Sequence, residues 1–442
     1  MGGSQLLIGV LGLVGLVGLI AIRIPIAFAM AAVGMAGVWA LSGPLILLSQ
    51  LKTLAYGTFS NYDLSVVPLF ILMGHLATRA NLSQGLFRAA NAWFGRLRGG
   101  VAMAAIAACA GFSAVCGSSL ATATTMGKVA LPELRRYRYS PALATGTLAA
   151  GGTLGILIPP SIVLVIYSVI VEVNIVTMFS AAMIPGLLAV CFFVAVIVVY
   201  TWIYPEAGPK GGAVSRAELV SATLGVIPVT IVFGLMLGGM YAGLFTPTPA
   251  ASIGVFLVLV YGVARGLIGL RDIRDAVLDT ARNAGMIYLI VFGAELLKIF
   301  MSRGGVPQAA ASFMLNSGLE PYTLLILMLV ALILLGMFMD SLSMIILTLP
   351  FFWPVIAQLD FGMSPLELKL WFGILALIVV ELGLITPPVG MNVFVINAMA
   401  RDVPMLETFK GAAPFFFAEI IRVGLLVAFP AIVLFFPAWL MS

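Results

Sequence analysis

The stretch GILIPP at residues 155–160 recurs as GLITPP at residues 383–388, about half of the 442-residue chain further on. Each stretch interrupts a long apolar segment, the first at 141–177 and the second at 366–400. Proline has no N–H to donate and its ring displaces the carbonyl four residues earlier, so a Pro-Pro pair breaks a helix. The sequence therefore predicts two broken helices, at 159–160 and 387–388, in corresponding places of two halves.

A second pair of interruptions falls in apolar stretches whose arms are short. The stretch 99–131 is broken by CGSSLATATT at 116–125, and the stretch 322–356 is broken around DSLS at 340–343. A membrane-spanning helix needs about 20 apolar residues, and each arm alone is shorter than that. Both stretches are therefore predicted to be re-entrant hairpins with a polar tip.

The composition places the whole chain in a membrane. Hydrophobic residues make up 62% of it and charged residues 9%, whereas soluble domains carry about 25% charged residues. This excludes a soluble enzyme, a disordered chain and a nucleic-acid-binding protein. The single histidine and three cysteines form no HExxH, CxxC or similar motif, and GxSxG is also missing from the sequence. We therefore expect no enzymatic activity, no organic cofactor, no transition metal and no nucleic-acid partner.

The remaining apolar segments complete two similar halves. They lie near 5–22, 25–41, 63–79 and 181–203, and then near 221–240, 246–264, 285–301 and 413–437. Short amphipathic pieces also correspond, 45–57 with 271–284 and 85–98 with 304–315. With the broken helix, each half has five spans and one hairpin. Because five is odd, the sequence predicts an all-α polytopic membrane protein built of two inverted repeats, 1–203 and 219–442, joined by a cytoplasmic linker at 204–218.

The basic residues give an orientation. If both hairpins are re-entrant, 17 of the 22 Lys and Arg residues fall on one side, which the positive-inside rule assigns to the cytoplasm. Both termini are then predicted on the periplasmic side, with the first hairpin open inward and the second outward. The basic amphipathic segment 86–98 is predicted to lie against membrane lipid.

Sodium ligands are predicted where a hairpin tip faces a Pro-Pro break. A helix broken at mid-membrane frees carbonyl oxygens, and hard cations take oxygen ligands. We expect one sodium site in each half. The predicted ligands are Ser118, Ser119, Thr122, Gly155, Ile156 and Pro159 in the first half, and Ser341, Ser343, Gly383, Thr386 and Pro387 in the second. The alternative for any one hydroxyl is a hydrogen bond to its own helix.

No Lys or Arg lies at the predicted tips apart from Lys128, so a carboxylate substrate would be held by helix N-termini, hydroxyls and sodium. The predicted substrate contacts are Ser118, Thr125, Ser161, Asp340 and Asn392. Asp340 and Glu381 are acids in apolar surroundings, and each could ligate sodium, orient a tip or take a proton. Glu295 with Lys298, and Glu419 with Arg422, are predicted to be helix-face ion pairs.

Several motifs together resemble the large membrane subunit of tripartite ATP-independent periplasmic (TRAP) transporters. They are RIPIAF at 23–28, PLFILMG at 68–74, GSS at 117–119, GILIPPS at 155–161, TPT at 246–248, GMFMD at 336–340 and ELGLITPPVGMN at 381–392. One departure is Pro249, where that family usually has Glu after the TPT run.

The resemblance implies an elevator-type fold of the ion-transporter superfamily, in the inner membrane of a bacterium. A transport domain that contains both hairpins would slide against a scaffold, driven by a sodium gradient. The implied partners are a small four-helix membrane subunit and a periplasmic binding protein that delivers an organic acid.

Three alternatives stay open beside the sodium-coupled importer. The first is a dicarboxylate or citrate carrier of the same superfamily that needs no binding protein. A membrane-embedded enzyme is disfavoured by the missing catalytic motifs, and a channel by two sealed hairpins.

Overall fold

The computed structural model describes residues 2–212, 214–316 and 318–441, with the side chains of 2, 3, 315 and 441 left out. Within these ranges every regular element is a helix, and there is no strand. The first half contains α1 (Gly2–Ala21), α2 (Ile26–Ser42), α3 (Pro44–Phe59), α4 (Val66–Arg79), α5 (Leu82–Phe94), α6 (Gly100–Cys116), α7 (Ser119–Arg136), α8 (Pro141–Leu157), α9 (Ile162–Val171) and α10 (Ile175–Ile203). The second half contains α11 (Arg216–Leu224), α12 (Ile227–Tyr241), α13 (Pro247–Ala264), α14 (Leu270–Gly304), α15 (Val306–Leu315), α16 (Pro321–Gly336), α17 (Ser341–Ile356), α18 (Pro365–Gly383), α19 (Met391–Met399), α20 (Met405–Ala428) and α21 (Ala431–Met441).

The helices suit a multi-pass membrane protein. Among the described residues, six helical segments are long and apolar enough to cross a membrane, and up to eight if each of two bent pairs counts as one span. Large apolar side chains such as Leu45, Trp202 and Phe313 remain exposed on the outside. In water such a surface would be costly, but it matches the hydrocarbon of a bilayer. The prediction of an all-α polytopic membrane protein is confirmed.

The interruptions lie where the polar tips and prolines predict them. The arms α6 and α7 meet at residues 117–118, and α16 and α17 meet at residues 337–340. The Pro-Pro pairs separate α8 from α9 and α18 from α19. The first hairpin continues to Arg136, five residues beyond the predicted end.

The prediction of a separate amphipathic segment at 271–284 is wrong, because α14 is one helix of 35 residues. Its sequence has no proline and is rich in helix-favouring Ala, Leu and Arg, so the hydrogen-bond ladder continues into the span. In the first half the corresponding chain does break. There α3 ends at Phe59 and a short 3-10 helix, Tyr62–Ser65, precedes α4.

Two sets of helices pack closely: the α14 group, made of α2 and α14, and the α8 group, made of α6, α7, α8 and α20. In the first, α14 lies along α2, where Gly34 and Gly37 leave room for Leu296 and Phe300. In the second, α8 is the central helix, buried from Leu143 to Leu157 and packed by α6, α7 and α20. Small residues allow such close helix contact without a hydrophobic driving force in lipid.

The linker between the halves is held against the second group. Gly99 N donates to Gly208 O at 2.9 Å, and Gly211 N donates to Gly95 O at 2.7 Å. Position 213 of the predicted linker 204–218 lies outside the described residues. The linker therefore pairs through its backbone with the start of the first hairpin.

Candidate functional site

A cavity of about 650 Å³ opens between the two hairpin tips and the helices α4 and α14. The tips contribute residues 116–121 and 340–342, the break after α8 contributes Ile156 and Ile162, and α4 contributes His75 and Arg79. The volume suits a small organic molecule, since ligand pockets span about 300–1,000 Å³. The cavity therefore joins the elements that the sequence predicts to be functional.

The first tip is seated on the first Pro-Pro break. Gly117 turns the chain with a φ of 63°, and Ile162 N donates to its carbonyl at 3.4 Å. A Cβ built on Gly155 would lie 2.5 Å from Ser118 O and 2.7 Å from Ser119 Cα. Only glycine at 155 therefore allows the backbone of the break to approach the tip this closely.

The second tip meets the second break in the same way. A Cβ built on Gly336 would lie 3.0 Å from Val380 O and 3.2 Å from Gly383 Cα. Gly390 N donates to Met337 O at 3.4 Å, as Ile162 N does to Gly117 O in the first half. Each half thus brings one tip and one break into direct backbone contact.

The carbonyl oxygens of the two breaks differ. Pro159 and Pro160 lack N–H groups, and no described donor reaches Gly155 O or Ile156 O. In the second break, Gly383 O accepts from Thr386 N at 3.1 Å and Leu384 O accepts from Asn392 N at 3.0 Å. The first break therefore has freed carbonyl oxygens as expected, whereas the corresponding carbonyl oxygens of the second break accept hydrogen bonds from backbone N–H groups.

The predicted hydroxyl ligands also divide into two kinds. Thr386 Oγ1 donates to Leu382 O at 2.6 Å. This is a bond to its own helix, the alternative to sodium binding that the sequence left open. Thr122 is fully buried, and its Oγ1 has no hydrogen-bond partner among the described residues. A buried oxygen without a partner is unfavourable unless a water or a cation meets it. Thr122 therefore fits a sodium ligand better than Thr386.

Two more predicted residues, Ser343 and Asp340, lie at the start of α17. Ser343 is buried, and its N–H donates to Asp340 Oδ2 at 3.0 Å. Asp340 is thus the N-cap of α17, and it also lines the cavity. The predicted prolines of the two breaks differ in burial: Pro159 is buried in the first break, whereas Pro387 is exposed in the second.

Three of the five predicted substrate contacts, Ser118, Thr125 and Asp340, line the cavity. The other two do not. Ser161 is fully buried and its Oγ accepts from Leu164 N at 3.4 Å, which caps α9. Asn392 is also fully buried; its Nδ2 donates to Ala149 O at 3.3 Å, while its Oδ1 lacks a described partner. As arranged here, the cavity presents neither side chain to a ligand.

Two of the three basic side chains at the cavity were not predicted to lie there. Arg79, His75 and Lys128 line it, whereas only Lys128 was expected near a tip. The guanidinium of Arg79 pairs with Asp279 of α14 at 3.2 Å, and His75 Nε2 lies 3.2 Å from Asn283 Nδ2. The signal in the sequence was the spacing of His75 and Arg79, four residues apart on one helix face.

Glu381 contacts both tips. Its Oε2 accepts from Ser119 Oγ and its Oε1 accepts from Ser341 Oγ, each at 2.5 Å. The carboxylate is 1% exposed. The sequence marked Glu381 as an acid in an apolar run, but its partners are 262 and 40 positions away.

The two predicted helix-face ion pairs are present. Lys298 Nζ lies 3.6 Å from Glu295 Oε1. The buried Arg422 pairs with Glu419 and also donates to Pro185 O at 2.9 Å. Neither pair lines the cavity.

Comparison with known sequences identifies the family. Residues 13–432 match the family described as tripartite ATP-independent periplasmic transporter, DctM component. The chain is 33% identical over 412 residues to the C4-dicarboxylate TRAP transporter large permease protein DctM of Pseudomonas aeruginosa, covering 90% of this chain and 93% of that protein. The chain therefore belongs to the DctM family, and the resemblance stated from the motifs is confirmed.

Other relatives carry different substrate names. The sialic acid TRAP transporter large permease protein SiaM of Vibrio cholerae is 31% identical, with 86% of this chain and 87% of that protein covered. The ectoine TRAP transporter large permease protein TeaC of Halomonas elongata is 29% identical, with 93% and 94% covered. These relatives are named as permeases, in agreement with a transport protein rather than an enzyme.

The fold is also found in a solved structure. The crystal structure of the YdaH transporter of Alcanivorax borkumensis matches with a TM-score of 0.61 at 15% identity, covering 86% of this chain and 88% of that one. At this identity the match supports the architecture alone.

Proposed function

We propose that the chain is the large permease subunit of a sodium-coupled importer of an organic acid in a bacterial inner membrane. Membership of the DctM family supports the permease role, and relatives named for C4-dicarboxylate and sialic acid support the substrate class. The observation that carries the sodium proposal is the seating of each tip on a Pro-Pro break, with buried oxygens at the contact.

The first sodium site would use the tip and break oxygens of the first half. The freed carbonyls of Gly155 and Ile156 lie where α8 ends, and Gly155 packs against Ser118 and Ser119. A Cβ built on Gly152 would lie 3.0 Å from Asn392 Nδ2 and 3.3 Å from Ser119 O, which places the Asn392 amide beside α7. Oxygens of this kind, several of them without partners, are the ligands that a hard cation takes.

The second sodium site would use the tip at Ser341 and Ser343 with the break at Gly383, Thr386 and Pro387. Its carbonyls are engaged in local hydrogen bonds, but each carbonyl oxygen has a second lone pair. Sodium binding there would need the acceptors to be shared.

The substrate carboxylate would bind in the cavity near the start of α7. No side chain caps α7, so its first N–H groups are available to an anion, and Lys128 and Arg79 add positive charge to the same cavity. Asp340 already caps α17 and brings negative charge. The first tip is therefore the better carboxylate site.

The partners and the movement belong to the same proposal. The chain covers 64% of an isethionate TRAP transporter permease protein, DctMQ, which leaves room in that protein for a second membrane subunit. We infer that a small four-helix membrane subunit and a periplasmic binding protein complete the transporter. The matching tip-on-break contacts support two inverted repeats, with the α8 group moving as an elevator against the α14 group.

Uptake into proteoliposomes tests this function. The chain would be reconstituted with the proposed small subunit and binding protein, and radiolabelled malate, succinate and sialic acid would be offered. We expect uptake of one acid that needs both an inward sodium gradient and the binding protein. Uptake driven equally by a potassium gradient would contradict sodium coupling, and uptake without the binding protein would favour the self-sufficient carrier.

A further inference from the structure

Glu381 joins the two halves of the site at a single carboxylate. It lies near the end of α18, whereas Ser119 is the first residue of α7 and Ser341 is the first residue of α17. The two carboxylate oxygens accept one hydrogen bond each: Oε2 from the Ser119 hydroxyl and Oε1 from the Ser341 hydroxyl, both at 2.5 Å. The two tips are therefore linked through one side chain that belongs to neither hairpin.

The surroundings make this link unusual. Glu381, Ser119 and Ser341 are 1%, 2% and 4% exposed, and none of the described ion pairs includes Glu381. The carboxylate is thus held by the two tip hydroxyls instead of a basic partner. A buried acid is costly without such bonds, so losing one serine must disturb the carboxylate that the other serine binds.

Other buried hydroxyls of the hairpins show what an ordinary arrangement looks like. Ser113 Oγ donates to Cys109 O at 2.6 Å within α6, and Thr348 Oγ1 donates to Met344 O at 2.8 Å within α17. Each bond stays within one helix turn. The contacts of Ser119 and Ser341 differ because they leave their hairpins and meet on the same acid.

We propose that Glu381 is a positioning residue that couples the two hairpin tips, so that the order of each tip depends on the other. This rests on the proposed function in one respect: if both tips bind sodium, their coupling makes the two binding events cooperative. Coupling between two sites is reciprocal, so a change at either tip should be felt at the other.

Hydrogen–deuterium exchange of the purified full-length chain in potassium buffer tests the coupling without sodium. We expect Ser119→Ala to speed exchange in the second tip, residues 337–345, and Ser341→Ala to speed exchange in the first tip, residues 117–124, each by about tenfold. Ser113→Ala and Thr348→Val are the matched controls and should leave the opposite tip unchanged. Exchange that changes only in the mutated hairpin would overturn the proposal.

Glu381→Met separates coupling from folding. Methionine has a similar size but offers the two serine hydroxyls only a weakly accepting thioether, so it removes both strong hydrogen bonds. In this variant we expect the cross-effect of each serine substitution to shrink, while exchange in α2 and α14 stays as in the parent chain. An undiminished cross-effect in the Glu381→Met background would show that another contact links the tips.

Sodium titration of the thermal midpoint then distinguishes the coupling from the proposed function. The parent chain should show a Hill coefficient above one, falling toward one in Glu381→Met. If sodium has no effect on any variant, the sodium proposal fails while the exchange result still decides the coupling. If sodium binds and the cross-effect is missing, the coupling fails and the sodium proposal stands.

Discussion

The two tip-and-break units share a sequence pattern but differ in how their polar groups are satisfied. In the first unit two residues, 117–118, connect the hairpin arms, the start of α7 has no side-chain cap, and the break has unpaired carbonyls. In the second unit four residues, 337–340, connect the arms, and Asp340 caps α17. The break that faces it has carbonyls bonded to Thr386 N and Asn392 N. The same sequence pattern has thus produced one unit with unpaired polar groups and one unit whose polar groups are hydrogen-bonded within the protein.

The number of unpaired polar groups indicates which unit binds ligands more readily. An unpaired buried oxygen is stabilised by a cation that meets it, and an unpaired N–H by an anion, whereas a satisfied group must first be shared. We therefore expect the first unit to bind sodium and carboxylate more strongly.

Gly155→Ala should have the largest effect. Its Cβ would meet the backbone of Ser118 at 2.5 Å, which no side-chain movement can relieve. Overpacking of this kind costs about 1–3 kcal/mol of folding stability, and separating the tip from the break should abolish uptake. The measurements are the thermal midpoint and proteoliposome uptake. Gly424→Ala is the matched control, because nothing lies within 4 Å of its added Cβ; equal loss in both variants would contradict the account.

Ser118→Asp should give the first unit the side-chain cap that Asp340 gives the second. An aspartate at the N-cap of α7 would accept from the free N–H groups and add about 0.5–2 kcal/mol of stability. The same carboxylate would occupy the place proposed for the substrate, so uptake should fall by at least about tenfold, equivalent to about 1.4 kcal/mol of binding. Ser118→Asn supplies the cap without the charge and should retain more uptake. Unchanged uptake in Ser118→Asp would place the substrate elsewhere.

The sequence predicted the architecture around these units well, for a physical reason. Proline pairs, polar interruptions and the lengths of apolar runs are local features, and each acts on the backbone next to it. The side-chain pairing was not local. Ser161 and Asn392 turned inward, and Arg79 entered the cavity from α4, because packing between distant helices decides which face of a helix is covered.

The same limit applies to Glu381 and α14. The sequence identified Glu381 as a buried acid but could not bring Ser119 and Ser341 to it across 262 and 40 positions. The correspondence of 45–57 with 271–284 suggested a break before the α14 span. Instead, residues of high helix propensity continue α14 without a break from Leu270 to Gly304. Repeat symmetry predicts where a segment lies better than whether its helix continues.

Asp340→Ala should destabilise the second unit by about 1 kcal/mol, because it removes the cap that Ser343 N donates to. Asp340→Asn keeps a capping oxygen and removes a negative charge from the cavity wall. We expect Asn to preserve the thermal midpoint and to strengthen binding of an anionic substrate, measured as a lower KM for uptake. A loss of stability in the Asn variant equal to that in the Ala variant would show that the charge, not the cap, matters.

The threonine pair should give the smallest but cleanest difference. Thr122→Val removes an oxygen with no described partner, whereas Thr386→Val removes one that bonds Leu382 O at 2.6 Å. We expect Thr122→Val to weaken stabilisation by sodium and Thr386→Val to leave it nearly intact, as followed by the thermal midpoint across a sodium titration. The reverse order would move the stronger ion site to the second unit.

The thermal midpoint of the purified chain in sodium against potassium, at equal ionic strength, directly tests whether a tip seated on a Pro-Pro break forms a sodium site. Binding to the folded state stabilises it by about 2.7 kcal/mol at a hundredfold excess of ion over Kd. We expect a higher midpoint in sodium, with the gain reduced by Thr122→Val. Equal midpoints in the two salts at saturating concentration would contradict it.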